Sequence, residues 1–222
     1  MLSELIFATR NRAKVGELAD LARPVGIRVF PLDEIAPEAP EVDETGATFH
    51  ANAWLKALSA VRATGRPCLA DDSGLCVDAL GGAPGVLSAR FSGSGATDAS
   101  NNAALLAALE AVPDTLRTAH YACVLVIAAP ATLLPMHDAE RFGPAIGGVH
   151  AIASEGVVAG CMTRTPRGSA GFGYDPYFLV PSLNRTFAEV DATTKHVLSH
   201  RGQAMRALFT RLARAGLLQN AR

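Results

Sequence analysis

Long apolar runs are missing from this 222-residue chain. The longest, residues 123–136, is broken by Pro130 and Pro135. It falls short of the ~20 residues that span a bilayer. Residues 1–10 lack a basic start followed by an apolar core, so no secretory leader is expected there. The four cysteines, Cys68, Cys76, Cys123 and Cys161, include no CxxC pair and no zinc spacing. Each sits in an apolar segment, so buried free thiols in a reducing, cytoplasmic compartment are expected. An excess of one charge is also missing: 20 Lys and Arg face 21 Asp and Glu. That balance argues against nucleic acid or an anionic membrane as the main partner. Neither an internal repeat nor a linker long enough to separate two domains is present, so residues 1–222 read as one domain.

What remains is a chain that is 49% apolar and 18% charged, the reverse of a disordered composition. A chain this long buries roughly 70% of its unfolded surface and needs no staple to fold. Short apolar runs alternate with segments of helical period. Strands are expected at 5–8, 27–30, 67–70, 75–80, 118–129 and 177–180, with one or two more in 149–165. Helices are expected at 14–22, 48–64, 98–112 and 199–217, Asp98 being a candidate N-cap. Residues 33–44 are acidic, carry Pro37 and Pro40, and read as a loop. The class is α/β with a mixed sheet.

Five constellations carry chemistry. Thr9-Arg10-Asn11-Arg12-Ala13-Lys14 lies at a strand-to-helix junction, where free N–H groups favour an anion. The glycines of a Walker loop are absent. In the second, Glu44-Thr45-Gly46-Ala47-Thr48 precedes a helix on which Asn52 and Lys56 share a face. That face borders the core stripe and suggests a lined cleft. The third is Asp71-Asp72-Ser73-Gly74. Two adjacent carboxylates after an apolar strand call for a compensating cation. Oxygen donors without Cys or His favour Mg²⁺ or Mn²⁺ over zinc.

The fourth, residues 166–176, places Phe172, Gly173, Tyr174 and Asp175 in a Gly-rich loop. Its aromatics could stack on a base, and Asp175 could accept from a sugar or base N–H. In the fifth, Lys195 precedes Ser199-His200-Arg201. Arg and imidazole N–H groups suit a carbonyl oxygen, which on a purine selects a 6-oxo ring. His50, His120, His137, His150 and His196 show no ligand spacing and are expected in ordinary roles.

These segments, in this order, resemble the Ham1-type inosine triphosphate pyrophosphatases. The stretches FATRNRAK, ETGATFHANAWLKA, LADDSGLCVDALGGAPGVLSARFSG, PRGSAGFGYDPYF, TFAEV and KHVLSHRGQAM carry the resemblance from Phe7 to Ala207. It implies a mixed central sheet flanked by helices, two lobes around a central cleft, and a homodimer. It implies Mg²⁺-dependent cleavage of non-canonical purine triphosphates such as ITP, dITP and XTP to monophosphate and pyrophosphate.

By the same resemblance, residues 9–14 bind phosphates and Lys56 faces them. Asp72 is the base and a metal ligand, Glu44 a metal ligand, and Asp71 stands beside them. Ser73 contacts substrate, residues 172–175 form the base-binding loop, and Lys195, His200 and Arg201 hold the base. Four departures stand out. Ala51 occupies a position where the family often has Glu, leaving metal binding to Glu44, Asp71 and Asp72. Arg10 replaces a small residue and His196 an Asn. Residues 132–153 are unlike the family's compact connection, and His137 and Arg141 inherit no role. A non-catalytic nucleotide sensor and a pyrophosphatase for other modified triphosphates are the alternatives.

Overall fold

The computed structural model describes residues 1–134 and 147–218. His137, Arg141 and most of the atypical 132–153 connection therefore lie outside the described residues. The order is β1 (Glu4–Phe7), α1 (Arg12–Ala22), β2 (Arg28–Pro31), α2 (Leu32–Ile35), α3 (Phe49–Thr64), β3 (Cys68–Val77), α4 (Asp98–Ala108), β4 (Thr118–Pro130), β5 (Val149–Met162), β6 (Phe178–Val180), β7 (Arg185–Thr186), α5 (Ala192–Leu198) and α6 (His200–Arg214). The strands form one seven-stranded sheet in the order β2-β1-β3-β4-β5-β6-β7. β1 is parallel to β2 and β3, whereas β6 is antiparallel to β5 and β7. The expected mixed α/β sheet with flanking helices is what forms.

The chain divides into two compact units. The first holds residues 1–72 with the described parts of 124–155 and 204–222; the second holds 73–123 and 156–203. In the first unit, α3 packs through Ala53, Ala57 and Ala60 onto Ala70, Ala128, Ala151 and Ala153. Alanine on both sides lets helix and sheet approach closely. Thr48 starts α3, accepting the Ala51 N–H, and Gly65 ends it at φ 65°. Such a Thr cap contributes about 1 kcal/mol. In the second unit the core gathers Leu75, Leu105, Tyr121, Tyr174, Phe178 and Phe187. No helix among the described residues is long and apolar enough to cross a membrane.

Several elements differ from expectation. The strands expected at 67–70 and 75–80 are one continuous strand, β3, and the acidic pair lies inside it. Asp71 and Asp72 are tolerated there because each meets a lysine. Residues 149–165 give one strand, β5. Residues 33–44 begin with the short α2 rather than open loop. The cap of α4 is Thr97, in a reciprocal capping box with Ser100, and Asp98 is the first helical residue. A separate helix, α5, precedes α6, capped by Asp191 on the Thr194 N–H. Cys68, Cys76 and Cys123 are buried free thiols as expected, but Cys161 is only half-buried. Burial pushes the Cys68 thiol up to about 11, so it stays protonated and unreactive near neutrality.

Candidate active site

Alternation along β3 sends successive side chains to opposite faces. Cys68 and Ala70 join the core under α3, so Asp72 falls on that same face. Asn52 and Lys56, one turn apart on α3, meet it there. Asn52 is fully buried and its Nδ2 donates to Asp72 Oδ2 at 3.0 Å. Lys56 Nζ lies 3.6 Å from Asp72 Oδ1 and donates to Glu44 Oε1 at 2.8 Å. Asp71 faces the other way and is taken by Lys14, whose Nζ is 2.9 Å from Oδ2 and 3.2 Å from Oδ1.

Burial raises the Asp72 carboxyl above its ordinary 3.8; Lys56 and the Asn52 hydrogen bond pull it down, while Glu44 and Asp71 push it up again. Lys56 is lowered by burial, but Asp71, Asp72 and Glu44 outweigh this and raise it above 10.5. The two aspartates are thus not equivalent. Both Asp71 oxygens lie within 3.2 Å of the Lys14 ammonium, whereas Asp72 is a carboxylate held at the cost of desolvation. Such a group accepts a proton more readily.

A cavity of about 190 Å³ opens beside these residues, lined by Thr9, Arg10, Lys14, Glu44, Lys56 and Asp71 among others. Asp72 lies outside its lining. The expected anion site at the start of α1 is partly spent on capping. Asn11 Oδ1 accepts from Ala13 N and Lys14 N, and Thr9 Oγ1 accepts from Asn11 N. Arg10 reaches the Ala39 carbonyl at 3.4 Å and Glu41 at 3.7 Å. Arg12 is drawn to Asp33 and Glu34 at 2.7 and 3.3 Å and does not join the cavity. Its guanidinium finds carboxylates on the acidic segment 33–44.

Glu44, Asp71 and Asp72 offer only hard oxygen donors, which suits Mg²⁺. Among the described residues no group of three such side chains is placed to hold a metal ion. The lysines stand between the carboxylates instead. That is compatible with Mg²⁺, which takes one or two carboxylates and completes its shell with water and phosphate.

The second unit holds the other group. Arg201 is buried, and its Nη2 donates to Ser73 Oγ at 3.1 Å. The His200 ring stacks on Tyr121, centroids 4.7 Å apart and planes 9° from parallel. Lys195 Nζ pairs with Asp175 Oδ2 at 2.7 Å and sits 4.8 Å over the Phe172 ring. Asp175 Oδ2 also accepts from Phe172 N, and Gly173 N donates to Asp98 Oδ2.

Two expectations change here. Tyr174 is not available for stacking: its ring is in the core and its hydroxyl donates to the Ser88 carbonyl at 2.9 Å. Phe172, half-buried, is the remaining ring. The Asp175 oxygen that would meet a sugar or base N–H is instead engaged in holding the loop and Lys195. Sequence reading missed Tyr121, 79 positions from His200, since nothing local in a β-strand tyrosine signals a stacking partner. Of the other histidines, His50 pairs with Glu155 and His150 meets the Leu134 carbonyl.

Residues 5–211 match the Ham1 family. The chain belongs to that family. It is 47% identical over 203 residues to the dITP/XTP pyrophosphatase of Desulforamulus reducens, covering 91% of this chain and 92% of the relative. Its structure is similar to that of a HAM1 protein from Coxiella burnetii, with TM-score 0.79, 42% identity, and 96% and 100% of the two chains covered. The Staphylococcus aureus Ham1 protein is similar at TM-score 0.76 and 33% identity, covering 95% and 98%.

One further residue of this Ham1-family chain is set by space alone. A Cβ on Gly202 would collide with the His196 carbonyl oxygen, a backbone atom that cannot swing aside. Gly202→Ala must therefore displace α5 or the first turn of α6, which carries His200 and Arg201. Overpacking of this kind costs about 1–3 kcal/mol, and thermal unfolding is expected to show a clearly lowered Tm. An unchanged Tm would mean that the α5–α6 junction is looser than its geometry.

Proposed function

We propose that this chain hydrolyses non-canonical purine nucleoside triphosphates, ITP, dITP and XTP, to the monophosphate and pyrophosphate. The observation that carries the reading is the disposition of Asp72. It is a desolvated carboxylate with one oxygen tied to Asn52 and the other beside Lys56, next to a second lysine that neutralises Asp71. The names of the relatives support the substrate class.

In this reading the triphosphate is the ligand of Lys14, Lys56 and the residue 9–14 element. The two ammonium groups offset its charge and that of the departing pyrophosphate. Asp72 takes the proton of a water whose oxygen bonds to the α-phosphorus, while the bond from that phosphorus to the bridging α–β oxygen breaks. Glu44 and Asp72 would hold Mg²⁺. That ion supplies charge neutralisation of the phosphates and acidifies bound water. The purine is the ligand of Phe172, Lys195, His200 and Arg201, and N–H groups of the last two suit a 6-oxo group rather than a 6-amino group. The reading places the enzyme in the cytoplasm as a homodimer acting on free nucleotides, supported by the family resemblance and the free thiols.

Product analysis with Mg²⁺ and a panel of ITP, dITP, XTP, GTP, ATP and dUTP tests this. IMP and pyrophosphate from ITP, with little from ATP, are expected. IDP and phosphate would overturn the assignment of the attacked phosphorus, and binding without turnover would make the chain a nucleotide sensor. Arg201→Ala is expected to reduce the ITP/ATP ratio of kcat/KM by about 10–100-fold, the worth of a good donor pair on a purine edge. An unaltered ratio in a folded variant removes Arg201 from recognition.

A further inference from the structure

We infer that Asn52 is a positioning residue: its amide locks the proton-accepting carboxylate of Asp72 to the loop that carries Glu44. The inference rests on the proposed role of Asp72 as the base.

Both ends of the Asn52 amide are used. Its Oδ1 accepts from the Gly46 backbone N–H at 2.7 Å, and its Nδ2 donates to Asp72 Oδ2 at 3.0 Å. The orientation follows from chemistry. A backbone N–H can only donate, so the amide oxygen must face Gly46 and the NH₂ must face Asp72. A turned-over amide would set two donors against each other on the loop side. Asp72 Oδ2 is therefore held as an acceptor. Oδ1 lies 3.6 Å from Lys56 Nζ, so the amide and the ammonium together fix the plane of the carboxylate.

The loop is also pressed onto the helix. A Cβ on Gly46 would meet Asn52 Oδ1 at 2.6 Å and Ala51 Cβ at 2.7 Å. Only glycine lets the chain come close enough for its N–H to reach the amide. Two residues back, Glu44 accepts from Lys56. Gly46, Asn52, Asp72, Lys56 and Glu44 thus form a closed circuit, with the chain from 44 to 46 as its last side. Within it the amide spaces the base from the Glu44 loop, and neither Asn52 nor Gly46 needs to touch substrate. A buried amide that merely stabilised the loop would protect folding alone, whereas a positioning amide sets the rate of the chemical step.

The experiment compares Asn52→Ala, Gly46→Ala and the double variant, with Asp72→Asn as reference. It measures kcat and KM for ITP together with thermal unfolding. Misplacement of a reacting group by about 1 Å costs up to about 10²-fold in rate. Each single variant is expected to lose kcat on that scale, with KM within about 3-fold of wild type. The double variant is expected to be no slower than the slower single, because both changes break one connection.

A folded Asn52→Ala enzyme with wild-type kcat overturns the inference, as does a double variant whose losses multiply. If Asn52→Ala does not fold, Gly46→Ala alone decides. Lost kcat with KM retained supports the inference, and unchanged kcat overturns it. Full activity in Asp72→Asn would overturn the reading of the base itself. An inactive Asp72→Asn beside fully active Asn52→Ala and Gly46→Ala overturns only the role of Asn52.

Discussion

Asp72→Asn is expected to lower kcat by about 10²-fold or more while leaving the protein at least as stable at neutral pH. The two effects have one cause. Burial holds the Asp72 carboxyl above 3.8 in spite of Lys56 and Asn52, so the native state binds its proton more tightly than the unfolded chain does. The stability linked to this group is therefore greatest in acid. It declines as pH rises from 3.8 through the raised native value, and above that window the charged form opposes folding. Asparagine keeps the shape, can still accept from Asn52, and removes the charge. Its Tm at pH 7 is expected to equal or exceed that of the wild type, with the advantage vanishing as pH falls through 3.8. Retention of more than about a tenth of kcat would move the base elsewhere. A large loss of Tm would mean that the carboxylate is held for stability.

Lys56→Met is expected to be the most damaging single change in the first unit. Only 15% of the Lys56 side chain is exposed, and its ammonium lies between Glu44 and Asp72. Burial alone would lower its pKa; the three neighbouring carboxylates raise it above 10.5. The stability linked to that shift is complete below 10.5 and is lost only as pH rises through the native value. Methionine fills the space of the stem but leaves two carboxylates facing one another. Removing one partner of a buried pair costs about 3–5 kcal/mol, and loss of a charge at the phosphates costs about 10²–10³ in kcat.

The stability deficit is expected to shrink in acid, where the carboxylates take up protons. Mg²⁺ is expected to raise the Tm of Lys56→Met more than that of the wild type, by supplying positive charge where the ammonium stood. A Tm unmoved by Mg²⁺ would remove Glu44 and Asp72 as its ligands.

Much of this was legible in the chain itself. The spacing of Phe49, Ala53, Ala57, Ala60 and Val61 marked α3, and the i,i+4 spacing of Asn52 and Lys56 put both on one face. The adjacent carboxylates at 71 and 72 announced a site needing cations, because no local contact neutralises such a pair. The order of the motifs was enough to indicate the family. The roles of individual residues were less legible. Tyr174 and Phe172 are alike in sequence, yet one donates to the Ser88 carbonyl in the core and the other remains half-buried beneath Lys195. Arg12 and Lys14 sit two positions apart, and only Lys14 reaches β3.

The amino-acid sequence by itself determined the class of fold, the family, and the short list of residues on which chemistry could rest. Those properties depend on periodicity and on residue type along the chain. Tertiary structure alone decided which aspartate is sequestered by Lys14 and which is left to Asn52 and Lys56, and which aromatic is structural. It also decided that Tyr121 supports His200 and that β3 runs unbroken through its two carboxylates. These outcomes depend on pairings between residues far apart in the chain. A buried charge or ring takes its character from what folding brings against it.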